Sequence, residues 1–301
     1  MTSKYLLSWL PTERTCDCSV KAQNGLSKRA WLRNQVPIWW FSAKELNTNF
    51  DQLSRQHHPA VFPTALAKRV INNYTHENQT VLDIFSGVGT TLNAAQLLKR
   101  NAIGFELSKE FTEYTNNRLR LTKNHNNSTP GLTQRTTKNG QHIVQINSDC
   151  RDLLKFTQKK SIDLLITSPP YWDMLKQTPS KRNLKNQKYL KNNYSENSLD
   201  LSNDSSFEQF FGNIKDIFHK VHQVLKPKGR CVINTGDYRR KGKFIPLSNI
   251  YIQTLHELGF ELKNKIIWDR RNEYEIGLFS YPYDFIVNNG MFEYILEFKK
   301  L

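Results

Sequence analysis

An α/β fold around a mostly parallel sheet is what the sequence predicts, and three observations predict it. From residue 80 onward, short apolar runs alternate with amphipathic helical stretches. The first run stops at a Gly-x-Gly turn that opens directly into a helical pattern. The last run follows its predecessor with no evident helix between them, so the final strand is expected to pair antiparallel.

Thr80–Phe85 (TVLDIF) is the first strand, closed by Ser86-Gly87-Val88-Gly89. Thr90–Arg100 then carries Leu92, Ala95, Leu97 and Leu98 at helical spacings. Ala102–Leu107 reads as a strand, Lys109–Lys123 as a helix, and the polar stretch Asn124–Gly140 as a loop. His142–Asn147 and Ile162–Thr167 are further strands. Phe207–Leu225 is a long amphipathic helix that stops before Lys226-Pro227-Lys228-Gly229. Arg230–Asn234, Lys263–Trp268 and Phe292–Phe298 complete the strands, with a helix over Ile250–Leu258. Residues 1–56 read as an N-terminal extension with a DNA-contacting role open to it, and residues 57–301 as one domain. Trp9, Trp31, Trp39 and Trp40 of the extension read as core residues ahead of base-stacking platforms. Residues 173–206, with six Lys/Arg and six Asn, form an insertion between a strand and its following helix, a length that marks a functional or a disordered loop.

The 301 residues include 43 Lys/Arg against 27 Asp/Glu, a formal charge of +16. An excess of that size points to a polyanionic partner. No run approaches the roughly 20 apolar residues of a membrane span, and 17 Phe, 12 Tyr and 6 Trp are too many core-forming rings for a chain without a fold. The opening MTSKYLLSWLPTERT lacks the three-part pattern of a secretory signal. Cys16, Cys18, Cys150 and Cys231 form no C-x-x-C pair, so neither a zinc knuckle nor a disulfide scaffold is expected, and no metal is.

Two segments carry chemistry. In Asp83-Ile84-Phe85-Ser86-Gly87-Val88-Gly89-Thr90, two glycines two apart let the backbone turn sharply and leave room for a ligand. A purely structural turn would read the same way, and the third glycine of the dinucleotide fingerprint is absent. Glu106, ending the next strand 19 residues beyond Gly87, tips the reading toward a nucleoside, since an acid there can accept both ribose hydroxyls. The second segment is Thr167-Ser168-Pro169-Pro170-Tyr171-Trp172, an apolar strand running into two prolines and an aromatic. Prolines have fixed φ and no N–H, so they make a stiff lip with carbonyls free to accept. Such a lip suits an exocyclic amine, with Ser168 and the Pro169 carbonyl taking its hydrogens and Tyr171 stacking on the ring. A strand merely terminated by prolines is the plainer alternative.

Together these segments resemble the DNA amino-methyltransferases, over about residue 57 to the C-terminus. His58-Pro59-Ala60-Val61-Phe62-Pro63, Asp83-x-Phe85-x-Gly87-x-Gly89-Thr90-Thr91, Gly104-Phe105-Glu106, Asn147-Ser148-Asp149-Cys150-Arg151-Asp152, Lys226-Pro227-Lys228-Gly229-Arg230 and Glu293-Tyr294-Ile295-Leu296 match that family's segments in consistent order. The resemblance implies a Rossmann-like methyltransferase fold that uses S-adenosyl-L-methionine. It implies a cofactor site at Phe62, Pro63, Asp83, Phe85, Gly87, Gly89, Thr90, Glu106 and Asp149, and a catalytic lip of Ser168, Pro169, Pro170 and Tyr171. Within the family, Ser before Pro-Pro-Tyr usually accompanies cytosine N4 methylation, and Asp or Asn accompanies adenine N6. Gly87 precedes Ser168 here, the reverse of the commonest cytosine-N4 order, a permutation that should leave the sheet unchanged.

The implied reaction is methylation of a cytosine flipped out of the duplex. No Pro-Cys nucleophile of a cytosine-C5 enzyme is present, nor the H-x-E and P-C-x-x-C of a zinc deaminase. Phosphate contacts are expected from Lys181, Arg182, Lys185 and Lys188 in the insertion and from Arg239 and Arg240. His57 and His58 read as loop structure ahead of metal ligands. Implied partners are double-stranded DNA and, alongside, a separate restriction endonuclease, with the chain a cytoplasmic, nucleoid-associated monomer or dimer in a prokaryote. Adenine-N6 methylation, RNA base methylation and a non-catalytic DNA-binding module are the competing readings.

Overall fold

The computed structural model describes residues 7, 9–10, 26–58, 61–123, 130–172, 197–240, 242–271 and 291–301. In chain order the elements are α1 (Lys28–Asn34), β1 (Ile38–Trp39), α2 (Ala43–Leu46), α3 (Asn49–His57), α4 (Thr64–Tyr74), β2 (Thr80–Asp83), α5 (Thr90–Leu97), β3 (Asn101–Glu106), α6 (Lys109–Leu119), β4 (Leu132–Thr136), β5 (His142–Asn147), α7 (Leu153–Phe156), β6 (Ile162–Thr167), α8 (Phe207–Val224), β7 (Leu225–Thr235), β8 (Tyr238–Arg240), β9 (Lys243–Ile245), α9 (Leu247–Glu257), β10 (Phe260–Asp269) and β11 (Phe292–Lys300).

Nine of these strands form one sheet in the order β1-β10-β11-β7-β6-β2-β3-β5-β4. The centre is parallel: β6 pairs with β7 and β2, and β3 with β2 and β5. As expected, the final strand β11 is antiparallel, inserted between β10 and β7. Strand side chains alternate faces, and two buried clusters show the alternation. Leu82, Leu165 and Phe105 join one cluster with α8 and α9, while Val81, Leu164 and Ala102 join the other with α4 and α5. Both faces are therefore covered, as a parallel centre requires. Helix α8 buries Phe210, Ile214, Ile217, Phe218, Val221 and Val224 along one stripe, each contributing roughly 1.5–3 kcal/mol of burial.

Three expectations need correction. The stretch expected as a loop contains β4, which pairs antiparallel with β5 as an edge hairpin. Its Leu-Thr-Gln-Arg-Thr sequence buries only its first two residues and so carries little apolar signal. The turn expected at Lys226–Gly229 is part of β7, which follows α8 without a break. There Lys226 reaches back to Asp163 at 2.8 Å, and a register shift in the β6–β7 pairing absorbs the extra residues. The segment before residue 57 also supplies a strand to the sheet. Ile38–Trp39 pairs with Ile267–Trp268 at the sheet edge, and Trp39 is fully buried beneath the Arg69 guanidinium. The third correction is Trp40, expected as a core residue, which is 60% exposed.

Candidate active site

The C-terminal ends of β2, β3, β5, β6 and β7 open onto one cavity of about 470 Å³. That is where open α/β sheets bind ligands, and the size suits a small molecule.

The glycine turn forms one wall. Gly87 and Gly89 have φ of +51° and +81°, and Gly89 caps the start of α5. A Cβ on Gly89 would come within 2.6 Å of Thr115 Cγ2, so backbone and space both demand glycine there. Glu106, at the end of β3, braces this turn. Its Oε2 accepts the Gly87 N–H at 2.8 Å and its Oε1 accepts the Ser108 N–H at 2.7 Å. Burial pushes its carboxyl up to about 7, opposed by those two N–H groups.

Asp83, on the cavity wall, also ties the strand ends together. Its Oδ1 accepts the Phe85 N–H at 3.1 Å and the Thr167 hydroxyl at 2.7 Å, and its Oδ2 accepts the Thr91 hydroxyl at 2.6 Å. Burial raises it to about 6. Asp149, also on the cavity wall, accepts a forked pair from Arg151, and Arg151 continues to the Leu199 carbonyl at 2.7 Å. This carboxylate pushes the Arg151 guanidinium upward.

Ser168, Pro169, Pro170 and Tyr171, following the neighbouring strand β6, also line the cavity. Pro169 is buried, and the Tyr171 hydroxyl lies 3.3 Å from Glu293 Oε2 as donor. Beyond them, the Trp172 indole donates to the Asp204 carbonyl at 3.0 Å, and Arg240 stacks over its ring at 4.2 Å. Arg240 and the exposed Arg239 belong to the β8–β9 hairpin, beside the lip.

Of the residues expected at the cofactor site, Phe62, Asp83, Phe85, Gly87, Thr90, Glu106 and Asp149 line the cavity together with all four lip residues. Pro63 is buried at the start of α4 and Gly89 at the start of α5, behind the lining. Lys181, Arg182, Lys185 and Lys188 lie outside the described residues. The end of the insertion is packed against the site, with Asp200 and Leu201 on the cavity wall. Sequence reasoning missed Arg55, His58, Asn234, Arg270 and Glu293 as lining residues. The last three come from β7, the end of β10 and the start of β11; Glu293 lay in a family-like segment without an assigned role, and the only local signal at Asn234 and Arg270 was a polar residue at a strand end.

A sequence model of the DNA methylase family matches residues 11–117 and 162–300. The orphan methyltransferase M.BamHII of Bacillus amyloliquefaciens is 39% identical over 83 residues, 28% of this chain and 31% of that one. The type II methyltransferase M.HindIII of Haemophilus influenzae is 36% identical over 101 residues, 32% of this chain and 33% of that one. The chain thus spans about a third of the length of the curated relatives it matches. Among solved structures, TTHA0409 of Thermus thermophilus, complexed with S-adenosyl-L-methionine, is 27% identical over 51% of this chain and 53% of that one, at a TM-score of 0.33.

Proposed function

Because the chain belongs to the DNA methylase family, we propose that it methylates an exocyclic amine in double-stranded DNA, with S-adenosyl-L-methionine as donor and cytosine N4 as acceptor. One observation supports the reading: the glycine turn, Glu106 and the Ser168–Tyr171 lip all line a single cavity.

The residues present fit the donor. Both Glu106 oxygens hold one backbone N–H each and keep lone pairs for ribose hydroxyls. The Thr90 hydroxyl is buried at the cavity wall with no hydrogen-bond partner among the described residues. When bound, the donor supplies a methyl group on a sulfonium: the amine lone pair forms the new N–C bond, the S–C pair returns to sulfur, and one N–H proton leaves to water.

The chain's own part is orientation and electrostatics. A cytosine amine is a poor nucleophile because its lone pair is delocalised into the ring. Ser168 and the Pro169 carbonyl accept its hydrogens and favour a pyramidal nitrogen, while Tyr171 stacks against the ring. Reaching that lip requires the base to leave the duplex, at a cost of a few kcal/mol. Arg239, Arg240 and the insertion's Lys181, Arg182, Lys185 and Lys188 offset this cost at the phosphates. A restriction endonuclease of matching specificity is the natural companion.

Transfer of a labelled methyl group by the purified chain tests the reading. Incorporation into duplex DNA supports it; label entering only RNA, or neither polymer, overturns it.

A further inference from the structure

The base end of the cavity contains an acceptor that the lip does not explain. Asn234, at the end of β7, is 3% exposed and lines the cavity one residue past the pairing of Thr167 with Ile233. Its Nδ2 donates to Glu293 Oε2, which also receives the Tyr171 hydroxyl at 3.3 Å. Glu293 Oε1 is paired with Arg270. The Asn234 Oδ1 is buried and has no hydrogen-bond partner among the described residues.

This arrangement fixes which way the amide points. An ionised carboxylate only accepts, so the Asn234 NH₂ must face Glu293 and the oxygen must face away from it. Arg270 opposite the other carboxylate oxygen holds Glu293 in place. A free asparagine could invert and offer its NH₂ to a carbonyl; this one cannot without turning its oxygen onto a carboxylate. An amine has two hydrogens, so Asn234 Oδ1 shares with Ser168, in a three-centre bond, the one that the Pro169 carbonyl does not take; of these acceptors only the Ser168 hydroxyl rotates and can also donate. The Pro169 carbonyl, like Asn234 Oδ1, only accepts.

We propose that Asn234 is a specificity-determining acceptor: Glu293 locks its amide so that Oδ1 selects a base bearing an amine and refuses one bearing a carbonyl at the same position. The inference rests on the proposed methylation of a flipped base. Oδ1 accepts a hydrogen bond and takes up no proton, so the transfer step is unchanged. A carbonyl base would meet two acceptors that cannot become donors, leaving buried polar atoms unpaired on both sides.

The test compares duplexes carrying the target site, mapped from methylated host DNA, with the target base intact or replaced by its carbonyl counterpart (uracil for cytosine, hypoxanthine for adenine). Binding is measured with S-adenosylhomocysteine present, for the wild type, Asn234→Leu and Asn234→Asp. The same two duplexes serve every protein, so the cost of extruding each base cancels. The wild type should prefer the amine duplex by about tenfold or more, and Asn234→Leu should lose most of that preference and about 10²-fold in single-turnover rate. S-adenosylhomocysteine affinity should stay intact. Asn234→Asp, protonated against Glu293, still donates to it and still presents an accepting oxygen; it should keep the preference and gain a loss of rate at alkaline pH that the wild type lacks. Unchanged preference and rate in Asn234→Leu would overturn the proposal, as would equal loss of rate in both variants with the preference preserved. If Asn234→Leu fails to bind S-adenosylhomocysteine, Asn234→Asp decides alone: a retained preference with the alkaline loss supports the role, and a lost preference overturns it. A wild type that methylates no DNA removes the premise and this inference with it, an outcome separable from a working enzyme indifferent to Asn234.

Discussion

The Thr167 hydroxyl at the end of β6 donates to the buried Asp83 carboxylate at the end of β2, at 2.7 Å. The strand that delivers the glycine turn is thereby tied to the strand that delivers the Ser168–Tyr171 lip. The two strands already pair through Val81–Leu164 and Leu82–Leu165. The side-chain bond extends the link to the residues where the two halves of the cavity begin.

Removing that bond should disturb both halves. In Thr167→Val the shape is retained, but a buried carboxylate loses one of its donors, which should cost about 1–3 kcal/mol of stability. Chemical denaturation reads the loss, and single-turnover methyl transfer should slow with it. Wild-type stability in Thr167→Val would contradict the role given to this hydrogen bond.

Glu106 should imprint a pH dependence on folding. Burial raises its carboxyl from 4.5 to about 7, so between those values the native state holds a proton that the unfolded chain has released. Its ionisation therefore disfavours the native state, and its contribution falls as pH rises from about 4.5 to 7, by roughly 3 kcal/mol. Glu106→Gln, which cannot ionise, should gain stability relative to the wild type across that window. Binding has the opposite slope. Ribose hydroxyls donate to the ionised form, so wild-type affinity for S-adenosylmethionine should rise through pH 7, while Glu106→Gln binds about 10- to 100-fold more weakly with little pH dependence. Denaturation at several pH values and calorimetry check the two slopes; parallel curves for the two proteins would contradict both.

How much of this was legible in the sequence depends on range. Ile162–Thr167 and His142–Asn147 are strands at the expected residues because each is a six-residue run with β-branched or leucine residues at its centre, buried in the sheet. Gly87 and Glu106 could be read because a turn and the next strand's end are neighbours in the chain. Asn234 and Arg270 could not, since each is an ordinary polar residue at a strand end, and Glu293, though within a family-like segment, carried no role there. They meet only because β11 inserts between β7 and β10, placing Tyr294 beside Thr235 and Phe292 beside Asp269. Trp39 was legible as a core residue and is fully buried, but its two-residue strand was not, since that gains meaning only from its partner Trp268.

Tyr171 separates stacking from hydrogen bonding. Tyr171→Ala should lose a stacking face worth about 1–3 kcal/mol, by analogy with single-strand binders. Tyr171→Phe keeps that face and gives up only the 3.3 Å bond to Glu293, so it should stay much closer to the wild type. Single-turnover rates distinguish them; a fully active Tyr171→Ala would remove the stacking role.

Arg239 and Arg240, on the hairpin beside the lip, should act through phosphates. Their replacement by Ala should weaken DNA binding across sequences and reduce the salt slope by about 0.9 for each phosphate no longer neutralised. Replacing Lys181, Arg182, Lys185 and Lys188 together should flatten the slope further and leave S-adenosylmethionine affinity unchanged. Fluorescence titrations at several salt concentrations read both sets, and wild-type slopes in both would place the DNA surface elsewhere.

The central claim is that one cavity brings a nucleoside donor to an exocyclic amine of cytosine. Nucleoside mass spectrometry of DNA from a host expressing the wild type, with Tyr171→Ala and empty-vector cultures in parallel, tests it most directly. The expected product is N4-methyl-2′-deoxycytidine in the wild-type culture, sharply reduced in the variant and absent from the vector control. N6-methyl-2′-deoxyadenosine in its place, or no methylated amine at all, would contradict the claim.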